Sequence, residues 1–252
     1  MTPTVIAAVF AVALLAFAAE GAIGFGGTVI VACLGAQLVP IDVLLPAFVP
    51  VNLALSAWLI AGGAKAIDWR ILGRQIAPPV ALGAAIGLVL FRVVESGGPR
   101  ASAALALVFG CFVVMLAVMQ LIARGGHLRR GQRLALLAAG GIAHGLFGTG
   151  GPMIVYVVHR QIPDARPFRA TLAVLWLVLN TALLASFAAQ GLYAGEPTFE
   201  TGIVLAIAFV PGLWLGDRLH RKLPPARFER AVWVLLLVAG AALAIRSGIA
   251  LT

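Results

Sequence analysis

The chain has 252 residues, of which 62% are hydrophobic and 11% are charged. Soluble domains carry about a quarter charged residues, so this composition excludes a water-soluble globular fold. The net charge of +9 does not indicate a nucleic-acid partner, because Lys and Arg lie almost wholly in short loops between apolar segments, as is typical of a multi-pass membrane protein.

Long apolar segments follow one another along the chain, and most approach the ~20 residues that a bilayer-spanning helix needs. The first has no preceding Lys or Arg and runs into more apolar sequence, so we expect no cleaved signal peptide. Cys33 and Cys111 lie inside apolar segments without other ligand residues around them, and we expect neither a disulfide nor a metal site. The segments are 4–19, 21–41, 43–64, 75–91, 101–122, 134–158, 170–195, 201–216 and 231–245.

Two glycine-rich stretches of the sequence, 19–30 and 143–154, resemble each other. At an offset of 124, 6 of their 12 positions are identical. Further matches follow in the same order at offsets of 128 to 130: Asn52 with Asn180, Gly83 with Gly212, Gly87 with Gly216, Arg92 with Arg221, and Gly110 with Gly240. The sequence therefore predicts one transmembrane domain, 1–252, made of two repeats, 1–124 and 125–252.

The distribution of Lys and Arg favours an inverted arrangement of the two repeats. If each glycine-rich segment crossed the membrane once, the loops on the two sides would carry 8 and 10 positive residues. If each segment forms a re-entrant hairpin, with three full spans per repeat, 15 of the 18 fall on one side, which the positive-inside rule makes cytoplasmic. The sequence thus predicts an all-α polytopic integral membrane protein of the inner membrane with two inverted repeats and both termini in the periplasm.

Glycine clusters inside membrane-buried segments are expected to interrupt their helices. The half-helix after each break would present free N–H groups and partial positive charge, and two such ends near the midplane would form an anion site, as in secondary transporters. The alternative is that the glycines only allow close helix packing. The candidate substrate-binding residues are Gly24, Phe25, Gly26, Gly27 and Thr28 in the first break, Gly148, Thr149, Gly150, Gly151 and Pro152 in the second, and Asn52 and Asn180.

Two ionisable residues, Glu20 and His144, occupy equivalent positions in the apolar bodies of the two glycine-rich segments. Charged groups inside a membrane are costly, so an ion pair or a proton relay that couples transport to protons is one interpretation. The alternative is that Glu20 stays protonated or reaches the interface while His144 bonds a backbone carbonyl.

Several polar candidates have a structural alternative as well. Thr28 and Thr149 could donate hydroxyls to a substrate or bond their own backbone. Asn52 and Asn180 could bind the substrate or a broken hairpin, or they could hold helices together.

Four stretches carry a resemblance to a known family: Gly-Phe-Gly-Gly at 24–27, Asp-Trp-Arg at 68–70, Gly-Leu-Phe-Gly-Thr-Gly-Gly-Pro at 145–152, and the segment 212–221. With the duplication, the chain resembles the TauE/SafE sulfite exporter family, also called the toluene sulfonate uptake permease family, over essentially its whole length. The resemblance implies a bacterial inner-membrane permease for sulfite, sulfonates or related sulfur-containing anions. Thr28 and Pro152 stand where a third glycine is common in the family.

We therefore expect a secondary transporter of a small sulfur-containing anion, in contact with the bilayer, and neither an enzyme nor a cofactor-binding or nucleic-acid-binding protein. The sequence has no Walker, HExxH or nucleophile-elbow motif. A non-transporting scaffold subunit and a membrane-embedded enzyme using Glu20 and His144 are the alternatives. Gly27→Leu and Gly151→Leu are expected to abolish transport, whereas Gly83→Ala, away from the breaks, is expected to be mild.

Overall fold

The computed structural model describes residues 1–23, 27–95, 97–122, 128–222 and 225–251. These residues form helices and short turns, with no strand among them, so the predicted all-α class is confirmed. A 3-10 turn, Ala64–Ala66, follows α3, and a π-helical segment, Leu72–Ile76, joins α4 to α5. The α-helices are α1 (Pro3–Ile23), α2 (Gly27–Gly35), α3 (Ile41–Gly63), α4 (Trp69–Ile71), α5 (Ala77–Glu95), α6 (Gly98–Ile122), α7 (Arg130–Phe147), α8 (Gly151–Gln161), α9 (Ala165–Ala189), α10 (Glu196–Lys222) and α11 (Pro225–Ile249).

Seven helical stretches in the described part of the chain are long and apolar enough to cross a membrane. Six are the predicted full spans, in α3, α4 to α5, α6, α9, α10 and α11. The seventh is α1, whose apolar stretch Pro3–Gly21 has 19 residues, although the sequence predicted only one arm of a hairpin there. In contrast, α2 and α8 have 9 and 11 residues, which is too short to cross alone. The chain is a multi-pass membrane protein, as predicted.

Both glycine-rich segments are helical hairpins in which the second helix folds back along the first. At the start of α2, a Cβ on Gly27 would lie 2.6 Å from the carbonyl oxygen of Ala16 in α1. In the second segment, a Cβ on Gly140 of α7 would lie 2.7 Å from Cγ1 of Ile154 in α8. Both positions are tight because the arms of each hairpin pack closely, against backbone at Gly27 and against a side chain at Gly140. We call α1 with α2 hairpin one, and α7 with α8 hairpin two.

The chain divides into two compact units, and each unit combines parts of both sequence repeats. The first unit comprises Met1–Ala47, Arg92–Gly125 and Tyr193–Thr252, and the second comprises Phe48–Phe91 and Gly126–Leu192. In the first unit α1 packs against α10, and α6 packs against α11. Each hairpin thus lies in a unit with helices of the other half of the sequence.

In the second unit, α5 approaches α7 of hairpin two at glycine positions. A Cβ on Gly83 would overlap the carbonyl oxygen of Ala138 and lie 2.9 Å from the backbone nitrogen of Ile142. The expectation that Gly83→Ala is mild is therefore wrong. Gly83 lies away from the breaks, but the backbone of α7 occupies the space that a methyl group would need.

The corresponding approach occurs in the first unit between α10 and α1. A Cβ on Gly212 would lie 3.1 Å from the carbonyl oxygen of Leu14 and 3.4 Å from the backbone nitrogen of Ala18. Leu14 and Ala18 precede by 124 positions the two residues that face Gly83. The contact of Gly212 with α1 is therefore the repeat equivalent of the contact of Gly83 with α7. In both, a small residue allows the close approach that stabilises helix pairs in lipid.

Two polar contacts join helix ends within the first unit. The amino group of Met1 lies 2.7 Å from the carboxylate of Glu200, near the start of α10. The guanidinium of Arg246, near the end of α11, donates a hydrogen bond of 2.7 Å to the carbonyl oxygen of Gln37, just after hairpin one. Each contact places two chain segments at the same level of the helix bundle.

Candidate functional site

The break of hairpin two is a tight chain reversal over residues 148–150. Gly148 ends α7 with a left-handed backbone conformation, φ 62°, which residues other than glycine rarely adopt. Its N–H donates a hydrogen bond of 2.8 Å to the carbonyl oxygen of His144. The next helix, α8, begins at Gly151 with Pro152 in its first turn. Proline suits this position because an N–H in the first turn would have no acceptor within the helix. The local sequence thus explains both the end of α7 and the start of α8.

Two polar side chains at this break are buried without a protein partner. His144 is 2% exposed and Thr149 is 1% exposed. Both ring nitrogens of His144 and Oγ1 of Thr149 have no hydrogen-bond partner among the described residues. Buried polar groups in proteins are normally paired, because an unpaired one costs about 1–3 kcal/mol. These atoms are therefore candidates to bind a ligand.

The neighbouring helix α9 adds two residues to this cluster. The indole of Trp176 stacks on the imidazole of His144, with ring centroids 5.5 Å apart at 21°. One turn later, Nδ2 of Asn180 donates to the carbonyl oxygen of Trp176 at 2.8 Å. The other amide atom, Oδ1 of Asn180, is buried and has no partner within the described ranges. His144, Thr149, Trp176 and Asn180 form what we call the hairpin-two cluster.

Trp176 was not among the predicted site residues. The signal was available, because tryptophan in membrane helices concentrates at the interface, and Trp176 lies well inside the span Arg166–Ala189. Its position four residues before Asn180 also places both on one face of α9.

The two central glycines of hairpin two have opposite surroundings. A Cβ on Gly150 would overlap the carbonyl oxygen of Gly140, so only glycine fits there. A Cβ on Gly151 would meet no described atom within 4 Å. Open space therefore adjoins the first turn of α8, where the N–H groups have no intrahelical acceptor.

Hairpin one has a different arrangement at the equivalent place. Oε2 of Glu20 accepts a hydrogen bond of 2.8 Å from the N–H of Gly27, the first residue of α2. The sequence predicted that the donor at Gly27 would be free, but Glu20 reaches it because α2 folds back along α1. Thr28 is half-buried next to it. The candidates Gly24, Phe25 and Gly26 lie outside the described residues.

The remaining candidates are divided between the units. Asn52 is buried in α3, and its carbonyl oxygen accepts a hydrogen bond of 2.9 Å from the hydroxyl of Ser56. Asn52 belongs to the second unit, with Asn180 and hairpin two, although the repeat assigns it to the same half as hairpin one. Glu20 and His144 belong to different units, and their pairing stays a prediction.

Residues 9–243 match the family described as Sulfite exporter TauE/SafE. The chain belongs to this family. A probable inner membrane transporter protein, TsaS of Comamonas testosteroni, is 30% identical over 204 residues, which is 76% of this chain and 79% of the relative. The probable sulfite/organosulfonate exporter TauE of Cupriavidus necator is 27% identical over 225 residues, or 87% of this chain and 85% of the relative. No solved structure matches.

Membership of the TauE/SafE family confirms the resemblance seen in the sequence. Together with the seven apolar helices, it identifies this TauE/SafE protein as a multi-pass inner-membrane transporter and not an enzyme.

Proposed function

We propose that this TauE/SafE transporter moves sulfite or a small organosulfonate across the inner membrane and binds it at the break of hairpin two. The observation that carries this proposal is the group of buried, unpartnered polar atoms on His144, Thr149 and Asn180. The open space beside Gly151 adjoins the same break. The relative from Cupriavidus necator carries the name of a sulfite/organosulfonate exporter, which gives the substrate class.

The chemistry of this break suits a small oxoanion. The N-terminus of α8 offers unpaired N–H groups and partial positive charge, and Thr149 and His144 add side-chain donors. No Lys or Arg occurs in the apolar body 134–158, so neutral groups and dipoles bind the anion. Binding without a buried ion pair leaves the anion free to dissociate on the other side of the membrane.

Asn180 adds a requirement for the substrate. Its unpartnered atom is Oδ1, an acceptor, which repels a bare anion and needs a donor opposite it. The hydroxyl of hydrogensulfite or the ammonium group of an amino sulfonate provides such a donor. We propose that Asn180 selects substrates that carry one.

Proton coupling is part of the proposal. Glu20 and His144 stand at equivalent positions of the two hairpins, and ionisable groups at such depth mark ion and proton pathways. We propose that both exchange protons during transport. Gly26, Gly27, Thr28 and Asn52 stay proposed contributors to substrate binding from their sequence pattern.

We further propose that both termini face the periplasm. In the hairpin topology, Met1, Gln37, Glu200 and Arg246 all lie on one side, in agreement with the contacts of Met1 with Glu200 and of Gln37 with Arg246. If each glycine-rich segment crossed once, Gln37 and Arg246 would lie on opposite sides. After replacement of Cys33 and Cys111, a cysteine at the C-terminus should react with an impermeant maleimide from the periplasm. Labelling from the cytoplasm alone would refute the hairpin topology.

Gly151→Leu tests the binding site, with Gly131→Leu as its matched control. Both glycines begin α-helices or lie in their first turn, and a Cβ at either meets no described atom within 4 Å. Gly27→Leu is a poorer test, because its side chain would collide with α1. In proteoliposomes, labelled sulfite uptake should be lost in Gly151→Leu and retained in Gly131→Leu. Parental uptake in folded Gly151→Leu would place the substrate elsewhere, and no uptake by the parent protein would favour a scaffold role.

A further inference from the structure

A crevice of about 500 Å³ lies between the end of α3 and the start of α9, within the second unit. The two helices come together at Gly63, where a Cβ would lie 3.3 Å from the Cβ of Ala170. The crevice is lined by Trp58 and Leu59 on α3 and by Arg166 and Arg169 on α9. None of these four residues belongs to the hairpin-two cluster.

The α9 side of the crevice carries more positive than negative charge. Arg166 and Arg169 are exposed and stand one turn apart, and neither forms a salt bridge within the described part of the chain. Asp164 precedes α9, but its side chain makes no capping hydrogen bond to the helix. The charge of Asp164 offsets part of the positive charge at the start of α9, and the two guanidinium groups leave it net positive.

The α3 side of the crevice is apolar and faces away from the protein. Trp58 is 64% exposed and lies near the end of the apolar span Ile41–Ala61. Tryptophan at the end of a membrane helix sits at the level of the lipid headgroups. Guanidinium groups on one wall and an indole on the other match the phosphate and the first apolar atoms of one phospholipid molecule.

A small soluble anion would fit only half of this crevice. It would satisfy Arg166 and Arg169 but leave Trp58 and Leu59 in contact with water or with the tails of other lipids. We infer that the crevice binds an anionic phospholipid, with its phosphate on Arg166 and Arg169 and its glycerol region along Trp58 and Leu59. This site is separate from the proposed transport site and does not depend on it.

The test compares two double variants that remove the same charge. Arg166→Gln with Arg169→Gln empties the crevice of its cations, whereas Arg70→Gln with Arg74→Gln removes two exposed arginines at the start of another membrane helix that do not line it. Each protein is titrated with phosphatidylglycerol and with phosphatidylcholine, and bound lipid is counted by native mass spectrometry. The parent should prefer phosphatidylglycerol, and the first variant should bind it about 30-fold more weakly while the second matches the parent.

Three results would overturn the inference. An equal loss of phosphatidylglycerol affinity in both double variants would show that the lipid is attracted by general surface charge and not by the crevice. Equal binding of phosphatidylglycerol and phosphatidylcholine by the parent would show that the crevice does not select an anionic headgroup. Stabilisation of the parent by sulfite or inorganic phosphate in phosphatidylcholine micelles, lost in Arg166→Gln with Arg169→Gln, would assign the crevice to a soluble anion. If that variant does not fold, Trp58→Ser gives the second test, since it should weaken phosphatidylglycerol binding with no change of charge.

Discussion

Hairpin one and hairpin two are built alike but differ in the chemistry of their breaks. In hairpin one, the carboxylate of Glu20 accepts a hydrogen bond from Gly27 at the start of α2. In hairpin two, His144 stands at the equivalent position and its ring nitrogens are unpartnered among the described residues, while open space adjoins Gly151, the equivalent of Gly27. In hairpin one a side chain of the protein thus supplies the acceptor at a helix N-terminus, and hairpin two leaves room for an external acceptor there.

The comparison separates two kinds of constraint on a duplicated sequence. Positions where backbones meet, such as Gly83 and Gly212, keep glycine in both halves, because any side chain would collide. The equivalent positions 20 and 144, shortly before each break, are not restricted to glycine and carry glutamate and histidine. Glutamate and histidine could therefore replace each other at one site without a change of fold, and the two breaks could take different roles.

The largest expected effect is a difference in folding between alanine variants of the neighbouring glycines Gly150 and Gly151. Gly150→Ala should yield little folded protein, because its methyl group would overlap the carbonyl oxygen of Gly140 and clashes of this kind cost several kcal/mol. Gly151→Ala should fold like the parent, since its methyl group points into open space. Size-exclusion profiles in detergent measure both. Similar profiles for the two variants would show that the break is not packed as described.

Thr149→Val should weaken sulfite binding about tenfold or more, because a hydrogen bond to a charged ligand contributes about 1.5–3 kcal/mol. Its control is Thr181→Val on α9, where the hydroxyl already donates to the carbonyl oxygen of Leu177 at 2.7 Å. Equilibrium binding of labelled sulfite gives both affinities. Equal affinities in the two variants would exclude Thr149 from the site.

Glu20→Gln and His144→Gln remove one proton-binding group from each hairpin. If both groups exchange protons during transport, the dependence of sulfite flux on pH should flatten in each variant. Flux is measured in proteoliposomes over a series of pH values at constant sulfite gradient. Unchanged pH profiles in both variants would leave Glu20 and His144 with structural roles only.

The smallest expected effect concerns the stability of hairpin one. Glu20→Ala should lower the free energy of unfolding by about 1–3 kcal/mol, because it leaves the N–H of Gly27 without its acceptor. Glu20→Gln keeps an acceptor oxygen and should lose less. Thermal unfolding in detergent compares the two variants. Equal stability of Glu20→Ala and the parent would mean that the hydrogen bond contributes nothing to the fold.

The parts of the fold that depend on local sequence could be predicted. The apolar segment 43–64 predicted α3, observed at Ile41–Gly63, because span length follows from the thickness of the bilayer. The glycines at 148, 150 and 151 predicted the break of hairpin two, because a helix that ends in a left-handed residue needs glycine there.

The parts that depend on how helices meet could not be predicted. The hydrogen bond between Glu20 and Gly27 requires the reversal of α2 along α1. The exclusion of a side chain at Gly83 requires α5 to touch α7, which belongs to the other half of the sequence. The stacking of Trp176 on His144 likewise joins helices α9 and α7; the sequence could mark Trp176 as unusual inside a span but not name its partner. None of these contacts leaves a periodic pattern in the sequence.

Selenite gives the most direct test of substrate binding at hairpin two, because it has the pyramidal three-oxygen shape of sulfite and its selenium atom scatters anomalously. Crystals of the transporter grown with selenite should show an anomalous peak beside Thr149 and Gly151, close enough for the selenite oxygens to accept hydrogen bonds from them. A peak beside Gly27 in hairpin one, with none at hairpin two, would contradict the assignment of the transport site.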